Sequence, residues 1–478
     1  MSTPDSQPVM SPARIRAGFA VLLLSMLLAM LDNTVVGTAM PTIVGELGGL
    51  RQLSWVVTAY TLTTAASTPI WGKLGDLYGR KTVHLSAIGI FTVASVACGF
   101  AADMGQLIAF RAVQGIGAGG LTVGALSLIG VLVSPKERGR YQGMMASTMA
   151  AGQIGGPLFG GAVTSLLGWR WNFYLNLPLG LIVLAATAFV LVVPSMPRRR
   201  VQLDFGGALL LTVAITALLL LTGGTGDQAL LPAPVFAAVT VIALAGFVLV
   251  ERRSQEPVLP LRLFTYRNIP LTTAIMFVVG VISFGMITFV PLFQQNVQGA
   301  SASGSGTLLL PMTLAVVVAS QVAGRVASRT GRYRVFPIAG TLCMAAGSAV
   351  LTMLDAATPV WVISGALVLA GLGLGFSTQT TTLIAQNTVP VSEIGVATAN
   401  TTMFRTIGGA IGTSVFGALL TAGMTGQPAV NGLVTGERHI FIVAAIVSVL
   451  AFVAAWGLRE LPAQREESPA TASVAMAR

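Results

Sequence analysis

Long apolar runs broken by short polar connectors make up almost the whole chain. Six runs come first, near 17–40, 54–71, 83–102, 107–132, 142–165 and 172–193. Two follow near 205–222 and 233–250, and six more near 270–293, 306–324, 336–354, 360–383, 395–420 and 439–458. Each is roughly 18–25 residues long, the length of a helix that crosses a bilayer core. In lipid the backbone must satisfy its own hydrogen bonds, and the connectors are short and rich in Gly and Pro, so the runs predict helices rather than barrel strands. The expected fold class is an all-α polytopic membrane protein with fourteen transmembrane helices.

Composition and charge sharpen this reading. The 478 residues are 54% hydrophobic and 9% charged, against about 25% charged in soluble domains. Arg14 and Arg16 precede the first run as in a signal peptide, but the run is long enough to span and no small-residue cleavage site interrupts it. With fourteen crossings, twenty-two of the twenty-seven Lys and Arg fall on the side that holds both termini, and only Arg51, Arg170 and Arg438 fall on the other. The positive-inside rule then puts both termini in the cytoplasm. The net charge of +11 does not point to nucleic acid, because the positives sit in short connectors and form no basic domain. Cys98 and Cys343 both lie in apolar runs and predict no disulfide. The bias of Arg over Lys, with abundant Ala, Gly and Val, fits a GC-rich bacterial genome.

The chain also repeats itself. Gly72-Lys-Leu-Gly-Asp-Leu-Tyr-Gly-Arg-Lys81 matches Gly324-Arg-Val-Ala-Ser-Arg-Thr-Gly-Arg-Tyr333 at an offset of 252 residues, which also sets Gly143 on Gly395, Gly156 on Gly408 and Gly160 on Gly412. Such repeats build many secondary transporters. The expected organisation is a six-helix bundle over 1–196, two additional helices with linkers over 197–262, a second six-helix bundle over 263–462 and a cytoplasmic tail over 463–478.

Asp32 is the acid placed well inside a predicted span, and the C-terminal half shows none there. A carboxylate in hydrocarbon is costly and marks a functional site by default. Arg111 lies at similar depth in the fourth helix. A neighbouring guanidinium favours a charged carboxylate and burial a neutral one, so the pair suits a proton carrier; it also suits a static fastening of two helices. Arg405 is a second intramembrane cation, open to three uses: a contact with Asp32 across a cavity, a bond to an anionic or polar part of a substrate, or a rest against helix-end carbonyls. Gly152, Gly156, Gly160 and Gly161 share one helix face and permit close packing, while Pro157 predicts a kink. Asp76 closes the second run, where it serves either as a solvated turn residue or as a cap on another helix. Asn33, Gln114, Gln153, Gln379 and Asn400, with Phe284, Phe289, Phe404 and Arg405, are the candidates for a substrate cavity.

These motifs together resemble the major facilitator superfamily. The 72–81 segment is similar to its loop signature, with Gly72, Asp76, Gly79 and Arg80 in place; 107–120 is similar to its fourth-helix motif. Gly152–Gly161 resembles the fifth-helix motif of exporters, and Leu31–Pro41 the first-helix motif of the fourteen-helix drug:proton antiporters. The resemblance covers about 15–460 and implies a 6+2+6 plan. It implies that Arg111 takes part in proton coupling, which favours the proton-carrier reading of Asp32, and that Gly72, Asp76, Gly79 and Arg80 form a conformational latch. The second half departs from the pattern, with Ser328 at the place of Asp76 and Gly409 at that of Pro157.

The expected function is proton-coupled efflux of small amphipathic compounds such as drugs or antibiotics, from a bacterial plasma membrane. A lipid or siderophore exporter and a proton-coupled importer of a small metabolite are the alternatives. No GK[ST] follows a Gly-rich loop, which argues against an ATP-driven pump. His84 and His439 are the only histidines, and no H-E-x-x-H, C-x-x-C or G-x-S-x-G occurs, which argues against an enzyme. The expected partners are a small-molecule substrate, protons and the bilayer, with no cofactor, metal or nucleic acid, and a monomer is favoured.

Overall fold

The computed structural model describes residues 12–48, 52–133, 137–191, 204–223, 232–254, 257–300, 307–424 and 429–460. Within them run fourteen helices of fifteen residues or more. They are α1 (Pro12–Leu47), α2 (Leu53–Tyr78), α3 (Arg80–Gly99), α4 (Met104–Leu132), α5 (Arg138–Leu167) and α6 (Asn176–Val190). Next come α7 (Phe205–Gly223), α8 (Ala233–Glu251), α9 (Asn268–Asn296), α10 (Leu310–Thr330) and α11 (Val335–Leu351). The last are α12 (Val360–Thr388), α13 (Ile394–Met424) and α14 (Ala429–Trp456). Ten helical stretches are long and apolar enough to cross a membrane. α7 and α11 are apolar but shorter, and α2 and α5 carry Thr, Ser and Gly along their length. Fourteen is therefore a count of helices and not of demonstrated crossings.

Local chemistry sets the breaks. Gly79 separates α2 from α3 at φ +97°, and Gly331 ends α10 in the left-handed region at φ +69°. These conformations cost glycine nothing sterically. Asp103 caps α4 by accepting the Gln106 N–H at 2.8 Å. Pro390 and a single 3-10 turn, Val391–Glu393, precede α13.

One boundary differs by a full ten residues from the sequence expectation. α14 begins at Ala429, so Glu437 and Arg438 lie inside the helix instead of ahead of it, and His439 lies well within it instead of at its start. The cause is glycine packing. A Cβ on Gly423 of α13 would lie 2.4 Å from the Gly436 Cα, and one on Gly432 would lie 2.7 Å from the Met424 Cα. The two backbones touch where the sequence reads as a loop. Glu437 is buried, which corrects the expectation of no acid well inside a C-terminal span.

The packing repeats with the sequence. α5 packs on α1, α4 on both α2 and α3, and α6 on α1 and α3. α13 packs on α9, α12 on both α10 and α11, and α14 on α9 and α11. The crossings between the two sets are paired as well, α2 with α13 and α5 with α10. α7 and α8 pack on each other, and α7 also lies against α2 and α13. Leu211 and Ile215 of α7 join Ala65, Ala66 and Met403 in one apolar cluster.

The hydrogen bonds that join the two sets cluster at the end carrying the 72–81 connector, the loop end. Gln386 Nε2 donates to the Leu126 carbonyl at 3.3 Å, and Gln321 Nε2 donates to Ser147 Oγ at 2.8 Å. Arg138 donates to Asn387, and the Arg140 N–H donates to Ser328 Oγ at 3.0 Å. At the opposite end, Glu46 pairs with Arg170 and accepts from Trp169 Nε1 at 2.6 Å. The Arg170 hydrogen bond holds that carboxyl below its usual range.

Candidate functional site

Four helices converge on Asp32. Its Oδ2 accepts from Arg111 Nη1 of α4 at 2.6 Å, and the side chains of this ion pair are 1% and 0% exposed. Its Oδ1 accepts from Gln114 Nε2 and from Asn176 Nδ2 of α6, each at 2.8 Å. Asn176 is itself fixed by a 2.9 Å hydrogen bond to Ser95 Oγ of α3. The carboxyl thus uses both oxygens as acceptors of three N–H groups, an arrangement suited to its ionised form.

Arg111 is held from several sides. Nη1 also donates to Gln114 Oε1 at 2.9 Å, Nε donates to the Val56 carbonyl at 3.5 Å, and the guanidinium lies 3.9 Å from the Tyr60 ring centroid. Its Nη2 is buried with no hydrogen-bond partner among the described residues. The pair is desolvated, so losing either member leaves an uncompensated charge, a penalty of about 3–5 kcal/mol.

The glycine stripe of α5 presses on the helix that carries Asp32. A Cβ on Gly152 would lie 2.8 Å from Met30 Cβ, one on Gly156 1.8 Å from Thr34 Oγ1, and one on Gly160 2.7 Å from Val35 Cγ1. Gly161 faces open space. Thr34 Oγ1 donates to the Gly152 carbonyl at 3.2 Å. α5 is one helix through position 157; the Pro157 side chain lies outside the described ones.

At the loop end, Asp76 sits on the N-terminus of α13. Its Oδ1 accepts the Gly395 N–H at 3.2 Å and its Oδ2 the Val396 N–H at 3.0 Å. Arg80 donates to Asp76 Oδ1 from Nε at 3.0 Å and from Nη2 at 2.6 Å, and Nη2 also reaches the Val391 carbonyl at 2.6 Å. A Cβ on Gly72 would lie 2.7 Å from both Ala399 Cβ and the Gly395 carbonyl oxygen, so only glycine permits this approach. The repeat carries a neutral counterpart. Ser328, at the place of Asp76, accepts an N–H near the start of α5.

A cavity of about 90 Å³ lies between the two sets of helices. Gln153 of α5, Ser283 of α9, Thr378 and Gln379 of α12 and Arg405 of α13 supply its polar wall. Met149, Val279, Met312 and Leu374 supply apolar wall. The other cavity candidates lie elsewhere. Gln114 belongs to the Asp32 cluster. Asn400 donates to Thr273 Oγ1 at 2.7 Å, Phe289 is buried against Phe416, Phe284 lies over Gly409, and Phe404 packs with the α7 cluster. The Asn33 side chain is outside the described ones.

Sequence reasoning missed Asn176 and Tyr60, which join the Asp32 cluster, and Glu437. Glu437 is fully buried, and neither carboxyl oxygen is hydrogen-bonded among the described residues. Asn176 carried a readable signal, an amide that shares only with Asn172 the start of an otherwise apolar run. Gln114 carried another, since it stands three residues after Arg111 and so shares its helix face.

Comparisons with known proteins agree with this architecture. The sequence matches the family described as Major Facilitator Superfamily over residues 22–413. It is 38% identical over 408 residues to the multidrug transporter protein MdtP of Bacillus subtilis, covering 84% of this chain and 74% of that protein. Multidrug resistance protein 3 of the same organism is 32% identical, covering 84% of this chain and 78% of its own length. A transporter of Mycobacterium tuberculosis named only by its superfamily is 37% identical, covering 95% and 71%. Among solved structures, the human organic anion transporter MFSD10 aligns with TM-score 0.68 at 15% identity, over 93% of this chain and 100% of that one. The proton:xylose symporter XylE aligns with TM-score 0.66 at 15% identity, over 94% and 96%. At that identity these two speak for the fold alone.

Proposed function

The chain belongs to the major facilitator superfamily, and on that premise we propose that it exports small amphipathic compounds in exchange for protons. It would work by alternating access in a bacterial plasma membrane, with both termini cytoplasmic and a 6+2+6 division of its helices. Relatives named a multidrug transporter, at 38% identity, and a multidrug resistance protein, at 32%, support the efflux reading.

The observation that carries proton coupling is the buried Asp32–Arg111 pair. A proton on Asp32 turns an acceptor of three N–H groups into a group that must donate. Arg111 then loses its only carboxylate among the described residues, and the local packing must change. The glycine stripe gives that change a mechanical path. α5 lies along α1 from Met30 to Thr38, and its other end joins α10 in the loop-end seal. A shift of α1 at Asp32 thus bears on the contacts that close the cytoplasmic side. The cavity of about 90 Å³ is smaller than the roughly 300–1,000 Å³ of a drug-sized pocket, so loading requires the two sets of helices to part. The membrane potential contributes about 2.3 kcal/mol per charge per 100 mV to the cycle.

The test is efflux of a panel of dyes and antibiotics from expressing cells, with and without a protonophore. Wild-type efflux should collapse with the protonophore and be absent in Asp32→Asn at equal membrane protein level. Efflux that persists in both conditions rules the reading out.

A further inference from the structure

Arg405 is a cation of the membrane interior that faces a cavity and has no counter-charge among the described residues. It stands in the middle of α13 and lines the space between the two sets of helices. Among the described residues it makes no salt bridge and no hydrogen bond, either to a side chain or to a helix-end carbonyl. Its backbone is fixed, because a Cβ on Gly280 of α9 would lie 1.9 Å from the Arg405 carbonyl oxygen. The wall around it holds amides and hydroxyls, from Gln153, Gln379, Thr378 and Ser283, and no carboxylate. Asp32 does not line this cavity, and its charge is already met by Arg111.

An intramembrane cation normally pairs with an acid or with backbone carbonyls. A guanidinium presents donors in a rigid fork that matches a carboxylate, sulfonate or phosphate. A cavity with this single uncompensated cation repels a cationic ligand and attracts an anionic one. We propose that the exported compound is an amphipathic anion, its acidic group bound by Arg405 with Gln153 and Gln379 beside it, and its apolar body against Met149, Met312 and Leu374. This rests on the exporter reading above and names the substrate class of the same cavity. A relative that carries an extra acid at this site would be expected to take cations instead.

The test uses the full-length protein in proteoliposomes with an imposed pH gradient, and matched aryl carboxylates and aryl amines. 1-Naphthylacetate and 1-naphthylmethylamine share a ring system and differ in the sign of charge. The carboxylates should be transported about tenfold or more faster than the amines. Arg405→Gln should lose about tenfold of carboxylate transport, and Arg405→Lys should keep part of it. Carboxylates should also raise the Tm of detergent-solubilised wild type and not that of Arg405→Gln. The Tm arm and the lysine variant keep the test decisive if Arg405→Gln folds poorly. Gradient-driven transport of amines in preference to carboxylates, unchanged by Arg405→Gln, overturns the anion assignment while leaving the exporter reading intact. No gradient-driven movement of any member of the panel overturns both.

Discussion

Replacing Asp76 by Asn perturbs the loop-end seal with little change in shape. In the wild type the carboxylate accepts two N–H groups at the start of α13 and two donors from Arg80. The amide keeps one acceptor oxygen and loses the charge. Hydrogen bonds to a charged group contribute about 1.5–3 kcal/mol net, and neutral ones about 0.5–1.5. The loss is therefore about 1 kcal/mol at each α13 contact and at least as much at Arg80. The favourable interaction of an anion with a helix N-terminus disappears as well. The sum is about 3 kcal/mol, or roughly two orders of magnitude in the balance between sealed and open loop ends, at 1.36 kcal/mol per decade. Spin labels at Tyr78 and Val335, both exposed near this end and on different sets of helices, report the separation by pulsed EPR. The native Cys98 and Cys343 are replaced beforehand. The wild type should give a short distance, and Asp76→Asn should add a longer population that dominates. An unchanged distance distribution would refute the assignment of Asp76 as a latch.

Three further substitutions have outcomes set by the packing and burial. Gly156→Ala places a methyl 1.8 Å from Thr34 Oγ1 and should cost about 1–3 kcal/mol as α1 and α5 separate, with loss of transport. Gly155→Ala, one residue away with open space at its Cβ, should be neutral in both thermal stability and transport. Glu437→Gln removes an ionisable group whose two oxygens meet no donor among the described residues, so Tm should stay unchanged or rise; a fall of several degrees would mean that the carboxyl has a partner in the folded protein.

The helices were legible because the bilayer imposes a length and an apolar composition on each of them, and thirteen begin near their predicted runs. α14 was not. Gly432, Thr435, Gly436 and Glu437 read as a polar connector, and the stretch is a helix whose glycines pack closely on the end of α13. That contact joins two helices and has no trace in a single-helix pattern. The shared depth of Asp32 and Arg111 could be counted along two helices. The arrival of Asn176 and Tyr60 at the same point depends on how α2 and α6 cross them, which periodicity does not encode. Phe289 illustrates the opposite limit. An aromatic side chain in a span packs in the core or lines a cavity with equal ease, and here Phe416 takes it into the core.

The central claim is that a proton reaches Asp32 during each cycle. Its most direct test is substrate-driven proton movement in proteoliposomes, read by a pH-sensitive dye while a transported compound is added on one side. Wild type should move protons opposite to substrate. Asp32→Asn, compared at equal amounts of folded, reconstituted protein because loss of the buried pair lowers its stability, should bind the compound and move no protons. Proton movement of wild-type size in Asp32→Asn would contradict the account.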